Sequence, residues 1–352
     1  MGTDGVCEMV GDVEVAQRVD ARSARYFELS DRIWDEPELN FQERRAADGH
    51  AKMLEAEGFR VTRGIAGMPT AMVGEAGKGG PVIAILGEYD ALPDLSQHAG
   101  VAAKNPVVKG GNGHGCGHNM LGTASLLAAA AVKDWLAANG VPGRVRYYGC
   151  PAEEGGSSKG FMVRAGAFDD VDVAICWHPA AFTGVNTAVS LACVEIEFTF
   201  HGRASHAAAS PHLGRSALDA VELMNIGVNY MREHMPSSAR VHYAITDAGG
   251  IAPNVVQARA SVRQLIRAST LEDMWDLVTR VRKIADGAAL MTETRVEAKQ
   301  LSGDANLVGN RPLEEAMHAV LTRLGGPRFD DADRAFAREI QKTFTPEDIR
   351  AS

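Results

Sequence analysis

Apolar residues recur at helical spacing over residues 12–33 and 41–57, and Pro37 separates the two stretches. The residues before position 12 lack this pattern and are expected to be unstructured. Short apolar runs closed by glycines follow, FRVTRGIAG (59–67), TAMVGEAG (70–77) and PVIAILGEYD (81–90). The third is continuous and β-branched at its start, as a strand buried on both faces must be. An alanine-rich helix is expected over 121–138, ending near Gly140. RVRYYGCPAEE (144–154) and VDVAICWHP (171–179) read as two more buried strands. Strands alternating with helices predict a layered α/β domain with a mostly parallel sheet.

The texture changes near Val189. SLACVEIEFTFHG (190–202) alternates apolar and polar residues, the pattern of a sheet with one solvated face. A periodic helix over 216–233, strands at 241–250 and 261–268, a helix over 271–290 and a strand at 295–303 follow. This β-α-β-β-α-β order predicts an inserted ferredoxin-like α+β domain. Two helical patterns, 313–324 and 330–343, then return toward the first domain. The expected organisation is a catalytic domain of residues 1–188 and 308–352, with an inserted lid and dimerisation domain of residues 189–307.

Composition narrows the classes of function. With 45 acidic residues against 36 basic ones, the chain carries a formal net charge of −9, the wrong sign for a nucleic-acid binder. Cys7, Cys116, Cys150, Cys176 and Cys193 form an odd, widely spaced set, which fits a reduced cytoplasmic protein better than a disulfide scaffold. The first fifteen residues hold acidic groups before any apolar run, so no secretory signal is expected. The longest apolar stretch, 120–132, is too short to span a bilayer, so no membrane partner is expected.

Four segments rich in metal-ligand residue types fall at ends of expected strands or in glycine-rich loops, where open α/β sheets collect ligands. GGNGHGCGHNMLG (110–122) contains His114, Cys116 and His118. Residues two apart in an extended segment point the same way, so Cys116 and His118 could reach one cation. A thiolate with an imidazole suits zinc and related metals. The same segment also fits a flexible loop with a buried thiol and surface histidines. In CPAEEGGSSKG, Glu153 and Glu154 are adjacent carboxylates that repel unless a cation or a shared proton compensates. One would bind metal while the other abstracts a proton from a metal-activated water; otherwise the pair opens an exposed helix. His178 in CWHP closes an apolar strand as a ligand or as a hydrogen-bonded core residue. In GEYDALP, Glu88 and Asp90 follow a buried strand, and Asp90 either orients a ligating imidazole or caps a turn. Together the four segments favour a two-metal hydrolase.

GEYDALP, GHGCGHN, PAEEGG and CWHP together resemble the co-catalytic metallopeptidases and amidohydrolases, the family of aminoacylases, glutamate carboxypeptidases and auxin-conjugate amidohydrolases. The resemblance is strongest to the aminobenzoyl-glutamate utilisation branch, and IWDEPELNFQE, HGRASHAAASPHLGRSALDAVELMN and HYAITDAGGIAPNVVQARA extend it almost end to end. It implies two divalent metal ions, Zn²⁺ or Mn²⁺. Cys116 would bridge them, with His118, Glu154 and His178 as further ligands, Glu153 as general base and Asp90 behind a ligating imidazole. It also implies that His206 reaches a neighbouring subunit's site to bind substrate and the developing oxyanion, and that Asn254 and Arg267 grip a substrate carboxylate. The implied partners are a small-molecule amide and a second copy joined through the lid, or a different subunit.

The activity so implied is hydrolysis of an N-acyl or N-aroyl amino acid, such as aminobenzoyl-glutamate, by metal-activated water. Family members continue beyond FTPEDIRAS with further catalytic-domain elements and another histidine ligand, so one metal site is expected to be incomplete here. His318, in LEEAMHAVLTRLG, reads as an ordinary helix residue. Two other readings remain at this stage. One is a homologue that binds substrate or a partner without turnover. The other is a thiol hydrolase with Cys116 as nucleophile and His118 as base.

Overall fold

The computed structural model describes residues 3–186 and 190–351. The chain divides into two compact units, residues 1–185 with 315–352, and residues 186–314. The expected boundary at 188 and 189, with the texture change at Val189, lies outside the described residues.

The first unit opens with helices α1 (Thr3–Asp20), α2 (Ser23–Asp35) and α3 (Arg44–Ala56). Two expectations are corrected here. The helix starts at Thr3 rather than near position 12, because a segment free of proline needs no strong periodicity to propagate a helix. The stretch expected as one helix over 12–33 is two, interrupted by a turn at Ala21 and Arg22. Strands β1 (Arg60–Arg63), β2 (Met72–Lys78) and β3 (Val82–Glu88) follow, then helix α4 (His118–Ala138) and strand β4 (Gly143–Cys150). Two short helices, α5 (Glu153–Gly156) and α6 (Ser158–Arg164), lead to strand β5 (Val173–Ile175).

These strands form one sheet in the order β1-β2-β4-β3-β5. The layered α/β class holds, and within it the sheet is mixed. β3 runs parallel to β4 and β5, while β1 and β2 are antiparallel additions at one edge. Side chains alternate across the sheet as strand geometry requires. Ile85, Val145 and Tyr147 pack with residues of α2, α3 and α4, whereas Ala84, Tyr148 and Cys150 pack with Met162 of α6. Burial on both faces is the reason β3 reads as a continuous apolar run.

Helix α4, at 21 residues, is long and apolar enough by length and composition to cross a membrane, which corrects the shorter stretch counted from sequence. Its buried residues include Leu121, Leu126, Ala129, Ala130 and Ala131, so here it serves as a core helix. It lies so close to β3 that a Cβ on Gly122 would fall 2.3 Å from the Glu88 carbonyl oxygen. Only glycine allows that approach.

The second unit contains β6 (Ala192–His201), α7 (Ala217–Met231), β7 (Arg240–Asp247), β8 (Arg259–Ala268), α8 (Leu271–Thr292) and β9 (Arg295–Asp304). The strands are all antiparallel in the order β7-β8-β6-β9, the ferredoxin-like arrangement expected from the element order. Ala192, Val194, Ile196, Phe198 and Phe200 of β6 are buried against α7 and α8, while their alternate neighbours are half-buried. Ser216 and Thr270 cap α7 and α8 by accepting from the Asp219 and Asp273 amides. Three further helices, α9 (Arg311–Leu324), α10 (Asp331–Gln341) and α11 (Pro346–Ala351), complete the described chain, and neither α9 nor α10 has a fully buried residue.

Candidate metal centre

Because β3, β4 and β5 are mutually parallel, their carboxyl ends lie on one edge of the sheet. β3 ends at Glu88 and leads to Asp90. β4 ends at Cys150 and leads to Glu153 and Glu154. β5 leads to His178, and Cys116 and His118 stand at the start of α4. Cys116, Cys150, Cys176 and Cys193 are all free thiols.

Six residues singled out from the sequence meet here. Cys116 Sγ lies 3.2 Å from His178 Nε2, and its thiol hydrogen-bonds Glu154. His118 is fully buried, with Nδ1 2.9 Å from Asp90 Oδ1 and 3.1 Å from the Asp90 carbonyl. Its Nε2 faces Glu153 Oε2 at 3.8 Å and Glu154 Oε1 at 3.9 Å. The candidate ligand atoms of Cys116, His118 and His178 lie within 4.8 Å of one another, and so do those of Glu88, His118 and Glu153.

Hydrogen bonding fixes how the two imidazoles present themselves. Nδ1–H of His118 donates to Asp90, and Nδ1–H of His178 donates to the Pro179 carbonyl at 2.8 Å. Both Nε2 lone pairs are thereby aimed into the cluster, as a ligating imidazole requires. His118 Nε2 and Glu154 Oε1 are buried and have no hydrogen-bond partner. Buried polar atoms left without a partner are costly. Thiol sulfur, imidazole nitrogen and carboxylate oxygen are the donors a divalent cation accepts, so these residues fit such an ion.

Electrostatics give the same picture. Burial, the Glu154 hydrogen bond and the charges of Glu154, Glu153 and Glu88 push the Cys116 thiol up to about 12. Burial and the Glu88 charge hold Glu153 above the ordinary carboxylate range. Burial works against the His118 imidazolium, yet the Asp90 hydrogen bond and the charges of Asp90, Glu88 and Glu154 raise its pKa. A group of anions that holds protons on its members is one a cation would relieve.

The supports of the cluster are local and long-range. Ala152 and Ser157 flank α5 in the left-handed region, both at φ 51°. Ala152 N–H donates to buried Glu43 Oε1 at 2.8 Å, and Glu154 N–H donates to Asp90 Oδ2 at 2.9 Å. Oriented by its neighbours, the Asn40 carboxamide donates to Asp90 Oδ2 at 3.0 Å and accepts from Gly155 N–H at 3.2 Å. Sequence reasoning missed Asn40, Glu43 and Lys159, whose ammonium pairs with Glu88, and it gave Glu88 no role. Lys159 shares the PAEEGGSSKG segment with the glutamates, a signal that was available; Asn40 and Glu43 arrive from far along the chain.

His114 is not part of the cluster. It is buried, and its Nε2 lies 3.0 Å from the Ile33 carbonyl, so it serves the core rather than a ligand shell. The remaining three candidates lie in the second unit. His206 is exposed in the loop before α7, bridged to Val255, and its Nδ1 accepts from the Ala208 and Ala209 amides at 3.2 and 3.0 Å. That acceptance places the neutral ring's proton on Nε2. Asn254 sits in the adjoining turn, its carbonyl accepting from Ala207 N–H at 2.9 Å. Arg267 is on β8, paired with Cys193 and Arg240.

Comparison with known proteins agrees with this architecture. Residues 84–328 match the profile of Peptidase family M20/M25/M40. One of the subunits of the p-aminobenzoyl-glutamate hydrolase of Escherichia coli (strain K12) is 53% identical over 334 residues, covering 95% of this chain and 69% of that protein. Xaa-Arg dipeptidase of Mus musculus is 30% identical over 323 residues, covering 88% of this chain and 70% of that protein. The crystal structure of an aminobenzoyl-glutamate utilization protein from Klebsiella pneumoniae superposes with a TM-score of 0.70 at 20% identity, over 94% of this chain and 91% of the other, and shares the fold. The chain therefore belongs to peptidase family M20/M25/M40 and is an amidohydrolase of that family.

Proposed function

We propose that this chain hydrolyses the amide bond of an N-acyl or N-aroyl amino acid, with p-aminobenzoyl-glutamate as the first substrate to test. The observation that carries this reading is the convergence of Cys116, His118, Glu153, Glu154 and His178 on one edge of the sheet. The 53% identity to a protein named for p-aminobenzoyl-glutamate hydrolysis supports the choice of substrate.

In this reading Cys116, His118, Glu154 and His178 hold divalent metal, and Asp90 orients His118. When bound, divalent cations supply the Lewis acidity that activates water and polarises an amide carbonyl. Glu153 is the general base. It lies at the exposed side of the cluster, and its raised pKa moves it toward the range in which a carboxylate both takes and returns a proton. It removes a proton from the attacking water and delivers one to the departing amine. His206, with its proton on Nε2, is suited to donate a hydrogen bond to a developing oxyanion in a neighbouring subunit's site. Asn254 and Arg267 supply polar contacts for a substrate carboxylate.

A thiol mechanism runs against the electrostatics of the cluster. A nucleophilic cysteine needs a lowered pKa, and Cys116 is raised to about 12. For assembly, we infer pairing with a second copy through the second unit. Its edge strand β7 exposes Tyr243 and Ile245, and α7 exposes Ile226 and Tyr230. Two Escherichia coli relatives are named as unlike subunits of one hydrolase, which makes a different partner the alternative outcome of a mass measurement.

The test is release of p-aminobenzoate from p-aminobenzoyl-glutamate by metal-loaded protein, before and after chelation. Release that disappears on chelation and returns with Zn²⁺ or Mn²⁺ supports the reading. Release that survives chelation contradicts it.

A further inference from the structure

Glu88 has no part in the ligand set above, yet it stands at its centre. It is the last residue of β3, and its carbonyl is packed against Gly122 of α4, so its backbone is held firmly. Its Oε1 is paired with the Lys159 ammonium. Its Oε2 lies 3.2 Å from His118 Nε2, the shortest of three carboxylate approaches to that nitrogen, with Glu153 Oε2 at 3.8 Å and Glu154 Oε1 at 3.9 Å.

The tautomer of His118 makes this arrangement informative. Asp90 accepts the hydrogen bond of Nδ1–H, so in the neutral ring Nε2 carries a lone pair. That lone pair is fully buried, lacks a hydrogen-bond partner and faces three carboxylates. That contact calls for a cation between nitrogen and oxygen, a proton or a metal ion, and the ligand atoms of Glu88, His118 and Glu153, all within 4.8 Å of one another, have the spacing of groups that share one ion. A pair formed only to anchor Lys159 would give no reason for the second oxygen of Glu88 to point at His118.

Resting on the metal-hydrolase reading above, we propose that Glu88, clamped by Lys159, is an additional oxygen ligand on the His118 side of the centre. Lys159 occupies one carboxylate oxygen and leaves the other for the cation, so Glu88 binds through a single atom. Glu88 and Glu154 then make the His118 side rich in oxygen and suited to a hard cation such as Mn²⁺. The Cys116 and His178 side keeps the softer donors.

The test uses the metal-stripped full chain. Mn²⁺ binding is followed by calorimetry, and Co²⁺ binding by the thiolate-to-cobalt charge-transfer absorption that reports Cys116. Glu88→Gln is expected to weaken Mn²⁺ binding by about tenfold or more while the thiolate–cobalt band stays. Lys159→Met is expected to tighten Mn²⁺ binding, since it removes a positive charge from beside the site. Unchanged Mn²⁺ affinity in Glu88→Gln overturns the proposal, and so does unchanged affinity in Lys159→Met should the first variant not fold. If the unsubstituted chain binds Co²⁺ through its thiolate, those results count against Glu88 alone. If it binds neither metal, the metal-hydrolase reading fails first and the Glu88 assignment falls with it.

Discussion

His118 and His178 owe their usefulness to oxygen atoms on the far side of each ring. Asp90 and the Pro179 carbonyl accept the Nδ1–H hydrogen bonds, and both Nε2 atoms face the cluster, as the proposed ligands must. The residue types of this centre were legible in the sequence because Cys116, His118, Glu153, Glu154 and His178 sit in short segments at strand ends. Asn40 and Glu43 were not, since their use depends on α2 and α3 returning to the carboxyl edge of the sheet, which periodicity does not encode. In the proposed mechanism Glu153 is the general base, a role that is chemical rather than structural. Replacing it by Gln keeps the shape and removes the base, so turnover is expected to fall by about 10²–10⁴-fold. Metal content and melting temperature should stay as they were. Steady-state rates with metal analysis on the same sample check this, and retention of most activity would remove Glu153 from the role.

Helix α4 and strand β3 are the elements that bring these groups into register. Their contact at Gly122 leaves no room for a methyl group against the Glu88 carbonyl. Gly122→Ala is expected to destabilise the fold by about 1–3 kcal/mol, measured by urea denaturation; a variant as stable as the parent would show that the helix moves freely off the strand. His50 of α3 lies beneath the same contact, with Nδ1 2.8 Å from the Ala46 carbonyl and its ring stacked on Tyr147 at 5.9 Å. Burial lowers its pKa to about 4. On acidification the unfolded chain takes up this proton first, so stability is complete above about pH 6.5 and falls as pH drops toward 4. Denaturation at pH 7.5 and pH 5 should show the loss, on the order of 2 kcal/mol for this group. Equal stability at the two values would contradict a neutral, buried His50.

The sequence pattern located the main elements well where burial is one-sided or complete, as in β6 and β3. The helix that Glu153 and Glu154 were given as opening is α5, but its four-residue length, set by left-handed residues at both ends, leaves no periodic trace.

For the molecule as a whole, the strand and helix order was enough to expect a layered α/β unit and a ferredoxin-like one, because each order admits few topologies. What order does not encode is the addition of β1 and β2 as antiparallel strands, which turns the sheet from parallel to mixed. The second unit carries its own buried core and presents His206 and Asn254 on adjoining loops. The first unit buries an apolar set on each face of its sheet, and the second unit buries one against its two helices.

The most direct measurement is anomalous X-ray scattering from crystals of the zinc- or manganese-loaded protein. A density peak is expected within bonding distance of Cys116 Sγ, His118 Nε2 or Glu154, on the carboxyl edge of β3 and β4. Full loading with no peak at these atoms, or a peak elsewhere in the chain, would contradict it.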